Sequence, residues 1–349
     1  MTLVEITAVV EHIPLKTPFI TALRRVETVE FVRVTLRSAS GAVGIGEAPP
    51  TKAITGEDSN SILAALEHMM PQLTQRKFHD IDEAMALLHG SIPGNHSAKA
   101  AVDMAFYDLY AKEAGLPLYA YLGGEARTIP TDVTISLNAP ETMAGDAAEA
   151  LRNGFDILKV KVGAGDGRDA ERLRAVRNAA GNNAILLIDA NQAWSESETL
   201  AFIEAVADLD VALIEQPVPA AELDALARIT AVSPVPILAD ESVFDLGDAE
   251  ALIASHGADL INVKLMKCGG IHRAKAILEA CRRAGVGCMM GSMLEGPVSI
   301  AAAMHLALAF PDTVRWHDLD SPLLYRTLPA SAPLRFEGNR LTLKGGRGI

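Results

Sequence analysis

From about residue 131 onward, short apolar runs rich in β-branched residues recur roughly every 25 to 28 positions, each followed by a stretch of helical periodicity. The runs are Val133-Thr134-Ile135, Ile157 to Val162, Ile185 to Ile188, Val211 to Ile214, Pro236 to Ala239, Leu260 to Val263, Val286 to Met290 and Val314 to Trp316. Strands alternating with helices pair in parallel, and eight such units close a barrel whose catalytic groups sit at the carboxyl ends of the strands. An open doubly wound sheet is the competing architecture. The barrel is preferred because polar residues end many of the strands, whereas a doubly wound sheet gathers them at one crevice beside a glycine-rich turn. Gly163-Ala164-Gly165-Asp166-Gly167 follows a strand but lacks the GxGxxG spacing, and reads as a flexible loop.

With 349 residues, 49% of them hydrophobic, the chain exceeds one typical domain. Residues 1–125 have a different texture. Glu30 to Leu36 alternates like an antiparallel strand, Gly41-Ala42-Val43-Gly44 reads as a turn, and helices are expected near 58–75 and 97–114. After Tyr325, strand-like Leu334-Arg335-Phe336 and Leu341-Thr342-Leu343 flank the turn Glu337-Gly338-Asn339. The expected organisation is an α/β chain: an α+β domain over 1–125, a (β/α) barrel over 126–324, and a segment over 325–349 that returns to the first domain.

A net charge of −13 argues against nucleic acid, which requires clustered Lys and Arg. Cys268, Cys281 and Cys288 form no CxxC pair and no disulfide framework, which points to a reducing compartment and the cytoplasm. No signal peptide or membrane-spanning run is recognisable.

Three consecutive strands end in acids: Ile188 leads into Asp189 and Asn191, Ile214 into Glu215, and Ala239 into Asp240 and Glu241. One such acid is an ordinary helix cap, but three in register at a barrel mouth suit magnesium, which prefers hard oxygen ligands and leaves coordination sites open for a substrate carboxylate. Lys159 and Lys161 project to one side of the second strand, because strand side chains alternate. Their like charges are expected to lower the pKa of at least one, giving a base near neutral pH. Lys264 ends the sixth strand, opposite the second in an eight-fold ring. Two lysines facing each other can take a proton from one face of a carbon and return it to the other. A proton beside a carboxylate is barely acidic, and a cation together with a cationic lysine addresses that difficulty. His96, His256, His305 and His317 pair with no acid at relay spacing and are expected to be structural.

Lys159-Val160-Lys161, Asp189-Ala190-Asn191, Glu215-Gln216-Pro217, Asp240-Glu241-Ser242 and Lys264-Leu265-Met266-Lys267-Cys268-Gly269-Gly270 resemble the enolase superfamily, muconate-lactonizing subgroup, over essentially the whole chain. The resemblance implies a modified TIM barrel under a capping domain. It further implies magnesium on Asp189, Glu215 and Asp240, Lys161 and Lys264 as acid/base catalysts, Lys159 as their electrostatic neighbour, and a homo-oligomer.

His317-Asp318-Leu319-Asp320-Ser321-Pro322 resembles the Asp-x-Asp motif of dipeptide epimerases, in which Asp318 and Asp320 would hold the free ammonium of a dipeptide. Pro18 to Arg25 and Ala53 to Glu57 are similar to the capping loops of alanyl-glutamate epimerases, which would place Arg24 on a glutamate carboxylate. By the same resemblance Thr134, Ser292 and Leu294 line the substrate. The expected reaction is epimerisation of a dipeptide such as L-Ala-D/L-Glu at the carbon beside the terminal carboxylate. The alternatives on this scaffold are an N-acylamino acid racemase or a muconate-lactonizing or o-succinylbenzoate synthase-type lyase. A metal-independent Schiff-base aldolase is a third reading. A barrel that only binds a ligand would leave the aligned carboxylates and facing lysines without a purpose.

Overall fold

The structure is a computed structural model that describes residues 1–20 and 25–349. Strands β1 (Thr2–Ile20), β2 (Arg25–Ser38), β3 (Val43–Ala48) and β4 (Arg76–Lys77) form an antiparallel sheet in the order β3-β2-β1-β4. Helices Ser59–Leu73, Ile81–Gly90 and His96–Glu113 accompany it. The last of these is buried on nearly every side, which accounts for its weak amphipathic signature. The turn expected at residues 41–44 ends earlier, because Val43 and Gly44 already belong to β3. Gly44 serves packing instead: a Cβ there would lie 2.0 Å from the Ala105 carbonyl oxygen, and one at Gly46 would lie 1.9 Å from that of Ala101.

After β5 (Ile129–Pro130), the eight expected strands all form: β6 (Val133–Ile135), β7 (Ile157–Lys161), β8 (Ile185–Asp189), β9 (Val211–Glu215), β10 (Ile237–Ala239), β11 (Leu260–Lys264), β12 (Gly287–Gly291) and β13 (Val314–Asp318). They lie side by side in chain order, each of the pairs β6/β7 to β12/β13 parallel. The barrel is nearly closed. At the β13/β6 seam Asp132 donates its N–H to the His317 carbonyl at 3.1 Å, while Thr131 Oγ1 donates to that carbonyl and accepts the Leu319 N–H.

Ile157, Leu187, Leu213, Leu238, Leu260 and Met289, one from each of six strands, pack together as a separate apolar plug. Alternation then dictates what stands above it. Two or four residues further along the same strands come Lys159 and Lys161, Asp189, Glu215, Asp240, Asn262 and Lys264, all facing the same interior.

The tail forms a hairpin, β14 (Leu334–Glu337) and β15 (Arg340–Leu343), whose second strand pairs with β5. Tyr325 bridges Leu15, and the Ile349 N–H reaches Asp108 at 2.7 Å. Two buried carboxylates of the N-terminal segment cap barrel helices across the junction. Glu47 accepts the N–H groups of Val298 and Ser299 at 2.9 and 3.1 Å. Asp103 accepts those of Ile271 and His272 at 2.6 and 3.2 Å. Both pairs begin helices whose first N–H groups have no partner within the helix. Among the described residues, no helix is long and apolar enough to cross a membrane.

Candidate active site

The carboxyl ends of β7 to β11 bring six of the expected residues into one buried group. Lys161 Nζ lies 2.5 Å from Asp189 Oδ2. Lys159 Nζ lies 2.7 Å from Glu215, 3.1 Å from Asp189 and 2.6 Å from Asp318. Lys264 Nζ donates to Asp240 Oδ2 at 2.6 Å. Lys161 and Lys264 therefore enter the pocket from strands four positions apart in the ring, each already held by a different carboxylate.

Two residues outside the expected set fix this group. Lys267 donates to Asp240 Oδ1 at 2.6 Å and to the Asn262 carbonyl at 2.9 Å. Asn191 accepts from Lys161 at 3.3 Å, and its amide donates to Glu241 Oε1 at 3.3 Å. Asn191 and Gln192 both hold positive φ, 45° and 69°, a strained stretch of the kind that folds retain at sites. Lys267 stands three residues after Lys264, one helical turn on, and that spacing was the available signal.

Burial and neighbouring charge oppose each other here. Burial raises Asp189, but Lys161, Lys159 and Lys264 outweigh it and hold its pKa at about 2. Burial lifts Glu215 to about 7, with the Asp189 charge adding to the rise. The Glu215 Oε2 oxygen is buried without a hydrogen-bond partner, although Lys159 is close enough for charge attraction. The lowering expected for at least one of the paired lysines is not found at Lys159. Although burial lowers it, Asp318, Glu215 and Asp189 together drive its pKa well above the ordinary value. Lys264 likewise rises, because Asp240 and Glu215 overcome burial. Carboxylates outnumber the like charge.

Three buried carboxylates ending adjacent strands are a hard-donor set of the kind magnesium takes. A second acidic group stands beside it at the seam: Asp132, Asp318 and Asp320 each bring a carboxylate oxygen within 4.8 Å of the others. Thr134 on β6 donates its N–H to Asp320 Oδ2 at 2.7 Å. Burial, and then the Asp318 charge, raise Asp320 to about 6.

Ser292 and Leu294 follow the end of β12 and do not belong to the strand itself. They line the pocket with Thr134, Asp318 and Asp320, and the N-terminal segment adds Phe19 and Ile54. Arg24 lies outside the described residues. Its neighbour Arg25 is exposed and paired with Glu27 at 3.1 Å. Of the histidines, His305 accepts the Tyr119 N–H at 2.9 Å, and burial lowers its pKa to about 3, in keeping with a structural role.

Residues 142–349 match the family Enolase C-terminal domain-like, and residues 3–123 match Mandelate racemase / muconate lactonizing enzyme, N-terminal domain. The chain belongs to the enolase superfamily. Within that superfamily it is 48% identical over 342 residues to the L-amino acid-D/L-Glu epimerase of Sulfurimonas denitrificans, covering 97% of this chain and 98% of that one. A solved structure of a substrate-liganded complex of the L-Ala-D/L-Glu epimerase from Bacillus subtilis superimposes with a TM-score of 0.97 at 41% identity, over 100% of this chain and 98% of that one. The dipeptide epimerase of Enterococcus faecalis, solved with Mg and the dipeptide L-Leu-L-Tyr, gives 0.96 at 37% identity, again over 100% and 98%.

Proposed function

We propose that this enolase-superfamily chain is a magnesium-dependent dipeptide epimerase that inverts the α-carbon beside the terminal carboxylate, with L-Ala-D/L-Glu as its probe substrate. The observation that carries the reading is the pair Lys161 and Lys264, entering one buried pocket from β7 and β11 beside three aligned carboxylates. Asp189, Glu215 and Asp240 would hold the magnesium. The ion supplies positive charge beside the substrate carboxylate, which makes a second negative charge there affordable.

One lysine, as the free amine, takes the α-proton, and the C–H electron pair moves into the carboxylate to give an enediolate. The other lysine, as the ammonium, returns a proton to the opposite face. The two exchange protonation states, and solvent resets them. Lys159 keeps its charge, held by Asp318, Glu215 and Asp189, and offsets the enediolate. Asp318 and Asp320 bind the free ammonium of the dipeptide by charge-assisted hydrogen bonds, and an N-acylated substrate would have nothing to offer them. Thr134, Ser292 and Leu294 line the bound peptide, and Arg24 takes the glutamate carboxylate. The division at residues 125 and 324, a cytoplasmic location and a homo-oligomeric state belong to the same reading.

The test is deuterium incorporation from heavy water into both epimers. Wild type exchanges the α-hydrogen of each, whereas K161A and K264A each exchange only one epimer, and not the same one. Exchange of both epimers by either variant would sink the two-base assignment. Chelation should abolish exchange and magnesium restore it.

A further inference from the structure

Asp132 lies one alternation below Thr134 on the way into β6, fully buried, with both carboxyl oxygens lacking any hydrogen-bond partner. A buried polar group in that condition calls for an explanation. Its surroundings supply one. Asp132, Asp318 and Asp320 bring their oxygens within 4.8 Å of one another, and the ammonium beside them, Lys159, is shared with Asp189 and Glu215. Asp320 has the Thr134 N–H and Asp318 has Lys159. Asp132 has no hydrogen-bond donor of its own: it faces the two aspartates and, more weakly, Glu215, and the opposing charge of Lys159 is already shared among three other carboxylates.

Three ionised carboxylates packed this closely would leave a buried anion uncompensated, which is strongly unfavourable. A carboxylic acid at Asp132 removes that penalty and turns its one possible donor, the O–H, toward an acceptor. The pocket then carries two negative charges and not three, faced by the shared Lys159 and by one incoming monocation. Burial and the charges of Asp318 and Asp320 do raise Asp132 well above the ordinary carboxylate range. The main chain holds it in place: its own N–H is bound to the His317 carbonyl at 3.1 Å, and Thr131 next to it is stitched to both His317 and Leu319.

We propose that Asp132 is a positioning residue for the amino terminus of the dipeptide: from beneath the Asp318/Asp320 pair it donates a hydrogen bond that fixes those carboxylates and limits their charge to what one ammonium balances. The proposal rests on the epimerase reading and extends it to a residue that does not touch substrate. It also separates the two acidic groups at the barrel mouth. The set at β8 to β10 carries enough charge for a divalent cation, while the seam pocket is matched to a monovalent one.

The experiment follows α-hydrogen exchange of L-Ala-L-Glu in heavy water for wild type, D132L and D132N, with magnesium varied. D132L keeps the size and removes the donor, so KM for the dipeptide should rise about tenfold or more while kcat stays within about threefold. D132N restores a neutral donor and should recover KM to within about threefold of wild type. An equal loss in D132L and D132N would overturn the proposal, because the group would then act as an anion or as packing. So would a D132L enzyme with unchanged KM. If D132L does not fold, D132N still decides: a KM raised tenfold is fatal and a near-normal one supports it. Wild type that exchanges no dipeptide would instead refute the epimerase reading, before any variant is compared.

Discussion

Glu47 shows how much a single residue can conceal. Nothing in the sequence around it signals more than a strand end, yet it is fully buried and caps the helix Pro297–Ala309. Burial lifts its pKa from 4.5 to about 7, against the pull of Arg33. The folded state therefore binds its proton more tightly than the unfolded chain. That contribution to stability is full below pH 4.5 and is lost as pH rises through about 7. At about 1.4 kcal/mol per pH unit, the loss amounts to about 3 kcal/mol. Denaturant titrations between pH 4.5 and 8 should show E47Q with a slope flatter by about that amount, and an unchanged slope would reject the account. The lysines and acids of the candidate site, by contrast, were legible because their positions follow from alternation along predicted strands. Lys159 faces the barrel interior as alternation predicts, but its charge environment was not legible, since the acids that surround it come from β8, β9 and β13, far away in sequence.

At the scale of elements, the barrel strands were readable almost to the residue because each is a buried β-branched run ending in a polar group. The N-terminal sheet was less so. Strand β1, 19 residues long, alternates half-buried and exposed positions with a slip at Glu11, but buries only Leu3 and Leu15 fully, so it carries no apolar run. Gly44 and Gly46 imitate turn residues but belong to a strand pressed against the helix His96–Glu113. Replacing Gly46 with alanine must drive that strand and helix apart, since the new Cβ would meet the Ala101 carbonyl at 1.9 Å. Overpacking of this kind costs about 1–3 kcal/mol, so the thermal midpoint of G46A should fall by several degrees. A variant with wild-type stability would show that the contact yields.

At the scale of the molecule, the N-terminal segment and the barrel are joined by carboxylates that complete helices belonging to the other part. No sequence window contains both halves of such a contact: Asp103 and Ile271 are 168 residues apart. Gly270 must lack a side chain for the contact to form, because a Cβ there would strike the Asp103 carboxyl at 2.3 Å. D103A leaves the buried Ile271 N–H and the part-buried His272 N–H without an acceptor, and the buried one alone costs about 1–3 kcal/mol. It should accelerate hydrogen exchange at the start of the helix Ile271–Ala284 while leaving the amides of β8 and β9 protected. Uniform acceleration would mean that Asp103 serves global stability only.

The incomplete closure of the barrel has a consequence for descent. Between β13 and β6 a regular ladder gives way to a few bonds made by Thr131 and Asp132. In the reading offered here, the residues that greet the amino end of the substrate gather at that seam, while proton transfer is built on the arc from β7 to β11. Mutations accumulating at the seam can redraw which peptide is admitted without dismantling the apparatus that inverts it. A lineage can pass from one peptide to another through ancestors that all remained working enzymes.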